Sequence, residues 1–176
     1  MSTIMAFVVN DSFVPSSTLH NKMPKGVIID SLAKVAQENP ELVRRYYNTL
    51  AHRDNAMVAL NTMLVQDGVM IYVPQGVVME RPIQLVNIFN SAASLMGVRR
   101  LLIVVEEGAK AQVLVCDHTQ NSEYNYLSSQ VMEVFVAPNA SLDIYDIEES
   151  SATTSRHSQL FARQERDSQL LVNGVT

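Results

Sequence analysis

Hydrophobic residues follow two different periods along the chain, and the change between them comes at Asp67-Gly68. From Gly26 to about Gln66 the apolar residues recur three or four positions apart, which predicts amphipathic helices. After Gly68, short runs of Val, Ile, Leu, Phe and Tyr are interrupted by Gly, Pro and Asn, which predicts strands separated by turns. We therefore expect an α+β N-terminal segment, residues 1–66, followed by a β-domain, residues 67–176.

The N-terminal segment is predicted to form one strand and about three helices. Ile4–Val9 is apolar and rich in branched side chains, and turn-forming residues follow it, so a strand and a loop are expected. A short helix is predicted from about Ile28. The next helix has the strongest signal, because Asn39 can cap its N-terminus and Pro40 suits its first position. Asp54 is placed to cap a third helix.

The β-domain predicts eight strands joined by a repeated corner. Gly108-Ala109 and Asn139-Ala140 occupy equivalent places 31 residues apart, and Val73–Val77 is a looser copy of the same corner. Such a period indicates stacked repeats, here a β-solenoid with two strands in each rung. Gly and Asn both adopt the left-handed conformation of a tight corner, and the small Ala fits beneath the next layer. The predicted strands are 69–73, 83–89, 101–105, 111–117, 131–136, 142–147, 158–164 and 169–172.

A solenoid of two-strand rungs has open strand edges at both ends unless other elements cover them. We expect the helical segment before Gly68 to cap one end. The strand pattern continues to Thr176, which predicts an uncovered last rung through which the chain could self-associate. We interpret the sequence as an internal piece of a longer protein.

Composition narrows the possible classes of protein. At 47% hydrophobic residues, the 176-residue chain can bury a substantial core, which argues against disorder. A net charge of -5, with Lys and Arg scattered, gives no basic surface for nucleic acid. Cys116 is the single cysteine, so no internal disulfide can form, and a reducing cytoplasm fits best. No apolar run is long enough to predict a membrane span.

Motifs for nucleotide chemistry and nucleophilic catalysis are missing from the sequence. It contains no Gly-x-x-x-x-Gly-Lys-Ser/Thr loop, no strand-bounded Gly-x-Gly-x-x-Gly and no Gly-x-Ser-x-Gly elbow. We therefore expect neither a nucleotide site nor a hydrolase triad, and we expect that any ATP is bound by another subunit.

Cys116 and His118 are the strongest candidates for metal chemistry. They are two residues apart on a predicted strand and so project to the same face. Two ligands do not complete a metal site, and the sequence has no second Cys-His pair. Leu114 shares that face, so we interpret Cys116 as a buried apolar thiol and His118 as the polar end of the strand. No metal, cofactor or catalytic residue is predicted.

The remaining titratable residues are expected at the surface. His20, His52 and His157 are isolated in segments of different character and are interpreted as surface or loop residues. Acidic residues are abundant, which leaves open a solitary β-helix enzyme acting on carbohydrate, with two carboxylates as acid and base. We expect solvated turn positions instead for Glu106-Glu107, Glu148-Glu149, Asp143 and Asp146.

The run from Leu60 to Leu85, LNTMLVQDGVMIYVPQGVVMERPIQL, resembles the signature with which the SufB/SufD family of iron–sulfur cluster assembly proteins enters its β-helix. The segments Arg99–Ala109 and Glu133–Ala140 resemble the next two rungs of that family. The region that precedes the β-helix in that family is resembled by Asn10–Phe13 and Lys25–Leu50. The resemblance covers nearly the whole chain, and the order and spacing of these elements are far more specific than any one of them.

The resemblance implies a right-handed parallel β-helix and a non-catalytic scaffold subunit of a multi-subunit complex. The partners that it implies are a SufB-type paralogue and an ABC-type ATPase, which together with this subunit form the SUF system. After Val115 the sequence lacks the Cys- and Pro-bearing insert of SufB-type chains, so it is closer to SufD-type chains, with SufB type as the alternative. The family's cluster-assembly residues would lie beyond Thr176. The matching residues are interpreted as determinants of the fold: Gly68, Pro74, Gly76, Pro82, Gly108, Ala109, Glu133 and Ala140.

Overall fold

The computed structural model describes residues 2–16, 19, 23–52 and 54–176. Among these residues the chain forms eleven strands and three helices with defined bounds. The helices are α1 (Leu32–Glu38), α2 (Pro40–Tyr46) and α3 (Ala56–Leu64). The strands are β1 (Ile4–Val9), β2 (Ser12–Val14), β3 (Ile28–Ser31), β4 (Gly68–Val73), β5 (Ile83–Phe89), β6 (Leu95–Val105), β7 (Lys110–Thr119), β8 (Tyr126–Val136), β9 (Ser141–Glu149), β10 (Thr154–Gln164) and β11 (Gln169–Val175).

The strands form two sheets that together make a parallel β-solenoid of about three turns. Sheet A has the order β11-β9-β7-β5-β1-β2, and sheet B has the order β10-β8-β6-β4-β3. Successive rungs pair in parallel from β4 and β5 onward, and only β2 and β3 run antiparallel to their neighbours. The mainly β solenoid with two strands in each rung, expected from the 31-residue period, is confirmed.

Residues with left-handed backbones form the corner between the two strands of each rung. The φ angles are 72° at Gly76, 66° at Gly108, 60° at Asn139 and 58° at Asp167. The corners are also hydrogen-bonded to one another, since the Gly108 N–H donates to the carbonyl of Pro138 at 3.0 Å. The predicted use of Gly and Asn at this corner is confirmed, and Asp167 extends it to a fourth rung.

An apolar core fills the space between the two sheets, which we call the lumen. Every second side chain of a strand points into it, as the alternation of a pleated strand requires. Ile103 and Val134 of sheet B face Val113 and Ile144 of sheet A, and all four are fully buried. Ala109 and Ala140, the small residues after two of the corners, are equally buried.

The three helices lie against the outer face of sheet B. Leu32 and Val35 of α1, together with Tyr46 of α2, pack on Leu102 and Phe135 of that face. The end of the solenoid nearest the N-terminus is formed instead by β2 in sheet A and β3 in sheet B. The helices therefore cover a face of the solenoid. The end that they were expected to cap is occupied by the two short antiparallel strands β2 and β3.

Two helix starts differ from those expected. Ile28 belongs to β3, because the branched Ile28 and Ile29 pair with β4 and the chain turns into α1 only after Ser31. The Ser31 side chain caps α1 by accepting from the Lys34 N–H at 3.1 Å. The cap of α3 is Asn55 and not Asp54. The predicted cap of α2 is confirmed, since Asn39 accepts from Leu42 N and Pro40 is the first helical residue.

The methionines are divided between the core and the surface. Met79 is buried, but Met57 and Met63 of α3 are 36% and 71% exposed. They lie on the outer side of a helix whose inner side carries Val58 and Asn61. No helix among the described residues has both the length and the hydropathy to cross a membrane.

Candidate functional site

The lumen changes from apolar to polar along the longer strands. On sheet B the inward position after Leu101 toward the start of β6 is Arg99, and on sheet A the inward position after Val115 is Asp117. Both are buried, although the adjacent inward residues of their own strands, Leu101 and Val115, are aliphatic. Six polar side chains meet in this region, and we call them the lumen cluster: Asn87, Arg99, Asp117, Asp146, Glu148 and Arg156.

Asp117 is at the centre of the lumen cluster. Its Oδ1 accepts from Asn87 Nδ2 at 2.7 Å and from Arg99 Nη1 at 3.1 Å. Its Oδ2 lies 2.8 Å from Arg156 Nε. Arg99 Nε in turn donates to the carbonyl oxygen of Asn10 at 2.7 Å. The carboxylate of Asp117 therefore joins three rungs of the solenoid and, through Arg99, the turn between β1 and β2.

An aromatic pair holds the guanidinium of Arg99 from the other side. The Cζ atom of Arg99 lies 4.4 Å from the ring centroid of Phe89. The Phe89 ring stacks on that of Tyr126, with 4.9 Å between the two centroids. A Cβ on Gly97 would come within 2.6 Å of the Phe89 ring, so glycine is needed there. Burial lowers the pKa of Arg99, and the charge of Asp117 opposes that effect.

Arg156 of β10 gathers the other carboxylates. Its Nη2 donates to both oxygens of Asp146, at 2.7 and 2.8 Å, and its Nε lies 3.0 Å from Glu148 Oε2. Burial alone would lower the pKa of Arg156, but the hydrogen bond to Asp146 and the charges of Asp117, Asp146 and Glu148 together raise it. Each of the three carboxylates thus contacts at least one of the two guanidiniums.

The lumen cluster corrects the expectation of solvated turn positions for two of the acidic residues. Asp146 and Glu148 point inward with side chains only 22% and 18% exposed, because they follow the apolar inward positions of β9. Glu149 is exposed as expected. A carbohydrate-cleaving enzyme requires two carboxylates in an open groove. In this structure the inward carboxylates are held by Arg156, which leaves no open acid–base pair in the cluster.

A second buried ion pair lies on the outer face of sheet B. Glu133 Oε1 accepts from the backbone N–H groups of Leu50 and Ala51 at 2.9 and 3.1 Å, and its Oε2 accepts from Asn48 N at 2.8 Å. Arg100 Nη1 is 3.4 Å from the same carboxylate, and both side chains are 2% exposed. Glu133 therefore fixes the turn after α2 onto the solenoid, consistent with its interpretation as a fold determinant.

Helix α3 is attached to sheet B by polar contacts. Nδ2 of the fully buried Asn61 donates to the carbonyl oxygens of Arg99 and Ser129 at 3.2 and 3.1 Å. Thr62 accepts a hydrogen bond from Arg100. The inner side of the helix also carries the buried Val58, which packs against Val131, while Met57 and Met63 lie on the exposed side.

The structure places Cys116 and His118 on the outer face of sheet A. Cys116 is buried, and its sulfur accepts from Gln84 Nε2 at 3.7 Å. Burial raises the pKa of the thiol. The His118 side chain is 38% exposed, and its Nδ1 lies 3.2 Å from Glu149 Oε2. Among the described residues, no three His, Cys, Asp or Glu side chains are positioned to hold a metal ion.

The other histidines and turn carboxylates are dispersed. His52 is exposed, whereas His157 is partly buried and lies within β10, so it is not a loop residue. His20 lies outside the described residues. Glu107 is exposed, but Glu106 is partly buried and accepts from the Tyr46 hydroxyl at 2.7 Å. Burial, followed by this hydrogen bond, raises the pKa of Tyr46. Asp143 is partly buried and bonds to Gln112 at 3.1 Å.

Comparison with protein families accounts for the chain from end to end. Residues 1–85 match the SufBD protein N-terminal region, and residues 87–176 match the SufBD core domain of the SUF iron–sulfur cluster assembly system. The chain belongs to the SufBD family. The resemblance stated from the sequence is confirmed at the level of this family. The boundary between the two matches falls within β5, inside the solenoid.

Relatives in bacteria and plants carry the same description. An iron–sulfur cluster assembly SufBD family protein of Synechocystis sp. PCC 6803 is 30% identical over 145 residues, which are 81% of this chain and 30% of that protein. An Arabidopsis thaliana member is 28% identical, covering 72% of this chain and 28% of its own length. A Staphylococcus aureus member is 30% identical, with 66% and 25% covered. The chain thus spans less than a third of the length of these relatives.

Proposed function

We propose that the chain is part of a non-catalytic, SufD-type scaffold subunit for iron–sulfur cluster assembly. The observation that carries the proposal is the consecutive match to the N-terminal region and the core domain of the SufBD family. The parallel solenoid agrees with such a role, because its rungs are held by a continuous core and by buried ion pairs. The cluster itself is the cargo of the assembly and not a resident cofactor of this chain.

The partners belong to the same proposal. They are a SufB-type paralogue and a SufC-like ABC-type ATPase, and the ATPase binds ATP, since the chain has no phosphate-binding loop. The SufD assignment is supported by the sequence after Val115, which lacks the insert of SufB-type chains. The lone Cys116 is buried with a raised pKa, which disfavours a thiolate ligand for a cluster. The proposed compartment is the cytoplasm.

An affinity tag added to the chromosomal gene tests the proposal on the protein as that gene encodes it. Purification under anaerobic conditions should recover a SufB-type protein and an ABC-type ATPase in fixed proportion, identified by mass spectrometry. A protein that is recovered alone and degrades oligosaccharides would contradict the scaffold role.

Anaerobic reconstitution with iron and sulfide tests the assignment of chemistry to other subunits. The chain by itself should bind no stoichiometric cluster, and Cys116→Ala should behave as the unaltered chain does in the same titration. Cluster binding that is lost in Cys116→Ala would show that this thiol is a ligand.

A further inference from the structure

The rung formed by β10 and β11 is held less tightly than the rungs before it. Each of its strands pairs on one side only, β10 with β8 and β11 with β9. All residues of these two strands are described and none of them is buried, whereas ten of the eleven residues of β8 are buried. In a stacked repeat each unit is stabilised by its neighbours, so a rung with one neighbour is the first to open.

The apolar contacts of this rung are partial. Leu170 of β11 packs against the lumen core, and Phe161 of β10 packs against Val131 on the outer face of sheet B, but both side chains stay partly exposed. Two other inward side chains, Leu160 and Val172, are 37% and 48% exposed. Apolar burial therefore stabilises this rung less than the rungs whose inward side chains are fully buried.

Arg156 gives the rung a polar attachment that reaches two rungs back. Its side chain is 16% exposed and contacts Asp146 and Glu148 of β9 and Asp117 of β7. Among the residues that the structure describes, no other cation forms an ion pair with Asp146 or Glu148. Asp117 also contacts Arg99, so it keeps a counter-charge without Arg156.

The position of Asp146 and Glu148 decides what the loss of Arg156 would do. A carboxylate that loses its partner while it stays out of water carries an uncompensated cost of desolvation. Beyond β9 only β11 follows in sheet A, and the residue of β11 that pairs with Asp146 is Gly174, which has no side chain. Departure of the β10–β11 rung would return both carboxylates to water and remove that cost. The cost therefore favours local opening of this rung.

We propose that the β10–β11 rung is a lid that opens as a unit while the rest of the solenoid stays folded, and that Arg156 holds it closed. Opening frees the edges of β8 and β9 and brings Asp146 and Glu148 into water. The lid belongs to the solenoid itself, so it stands independently of the role in iron–sulfur cluster assembly.

Native-state hydrogen exchange tests the lid in the unaltered chain. Amide exchange is followed in urea concentrations well below the unfolding transition, at a protein concentration at which sedimentation velocity shows monomer. The amides of β10 and β11 that bond to β8 and β9 should exchange together, at least about tenfold faster than those of β5 and β6. Their exchange should depend less steeply on urea, because opening exposes less surface than unfolding. One rate and one urea dependence for all four strands would contradict a separate lid.

Two arginine substitutions on β10 test the role of Arg156. Arg156→Met removes the charge and should speed exchange of the β10 and β11 amides about a hundredfold, while the amides of β5 and β6 change far less. Arg163→Met is the same substitution at an exposed position, where the guanidinium contacts the Phe135 ring. It should speed exchange of the same amides by less than about fivefold.

Asp146→Asn keeps the shape of the side chain and removes one of the charges that Arg156 contacts, so it replaces Arg156→Met if that variant does not fold. It should speed exchange in β10 and β11 by a smaller factor than Arg156→Met, again without a matching change in β5 and β6. The role of Arg156 is wrong if either variant speeds exchange equally in all four strands, or if Arg163→Met has as large an effect.

Discussion

Among the residues that the structure describes, charged side chains are buried where an opposite charge contacts them. Asp117 is the clearest case, because its two oxygens contact Arg99, Arg156 and Asn87 inside the lumen. Taking such groups out of water costs several kcal/mol per ion, and the attraction between the paired charges offsets a cost of about that size. The ion pairs therefore fix the relative register of the rungs more than they add stability.

Removal of the central charge is expected to be strongly destabilising. Asp117→Asn keeps the size of the side chain but leaves Arg99 and Arg156 without their shared anion. We expect the free energy of unfolding to fall by about 3 kcal/mol, measured by urea denaturation followed by circular dichroism. Glu149→Gln removes the exposed partner of His118 and should change it by less than about 0.5 kcal/mol. Similar losses for both variants would contradict the central role of Asp117.

The buried thiol of Cys116 gives a pH dependence with a definite sign. Burial raises its pKa in the folded chain above the reference value of 9.0. The unfolded chain therefore loses the proton first, and the contribution of this group to stability is present below pH 9 and is lost as the pH rises toward the folded pKa. In Cys116→Ala, the decrease in the free energy of unfolding above pH 9 should be smaller than in the unaltered chain.

Alkylation of Cys116 offers a second measurement of the same property. At pH 8 iodoacetamide should modify the folded chain far more slowly than the urea-unfolded chain, because the folded thiol is both buried and protonated. Equal rates in the two states would show that the thiol is accessible and ionised.

At the scale of elements, the corner between the two strands of a rung carries a backbone requirement separate from packing. Gly108 has a φ of 66°, and a Cβ placed on it would meet no atom within 4 Å. Gly68 shows the opposite case, since a Cβ there would lie 2.4 Å from the carbonyl oxygen of Arg100 on the neighbouring strand. One glycine is needed for its conformation and the other for the close approach of β4 and β6.

Substitutions at Gly108 separate conformation from contact. Gly108→Ala should lower the free energy of unfolding by about 1–2 kcal/mol through the left-handed backbone alone. Gly108→Asn should cost less, because Asn occupies the equivalent corner at Asn139 with a φ of 60°. Urea denaturation of both variants gives the comparison, and an equal cost would point to a steric cause instead.

Helix α3 is held against sheet B by the buried amide of Asn61 as well as by Val58. Asn61→Ala removes the hydrogen bonds to Arg99 and Ser129, so we expect a loss of about 1–3 kcal/mol in the free energy of unfolding. Met63→Gln, on the exposed side of the helix, should be nearly neutral. If Met63→Gln lowered the free energy of unfolding more than Asn61→Ala did, the exposed side of α3 would make the contacts that hold the helix.

Most elements follow from the pattern of the sequence, and the exceptions have a common cause. Strand β5 was predicted with its observed bounds, and the corner residues were identified from their type. The first parts of β6 and β8 were missed because Arg99 and Gln130 occupy inward positions that the alternation rule expects to be apolar. Only the fold shows that their neighbours in the lumen are also polar.

The lumen cluster was missed for the same reason. Asn87, Asp117, Glu148 and Arg156 come from four different strands, and no spacing in the sequence links them. The one available signal was register, since a repeat of about 31 residues places Asn87, Asp117 and Glu148 side by side in sheet A. Polar residues at equivalent inward positions of successive rungs therefore predict such a cluster.

At the scale of the whole molecule, the two ends of the solenoid differ. Short antiparallel strands finish the sheets at one end, whereas β10 and β11 each pair on one side only within the described residues. Three side chains of β11 are about half exposed or more: Leu171 (47%), Val172 (48%) and Val175 (58%). Unpaired strand edges with apolar side chains are templates for association.

Association through this end is therefore expected for the chain in solution. Sedimentation velocity over a range of protein concentrations should show dimers or larger species, with the weight-average sedimentation coefficient rising with concentration. Val172→Lys places a charge at the open end and should shift the chain toward monomer, since lysine on an edge strand opposes pairing. Met63→Lys adds the same charge on the exposed side of α3 and should leave association unchanged. If Met63→Lys were the substitution that produced monomers, the contact would lie on the helical side of the molecule, and the strand edges would take no part in it.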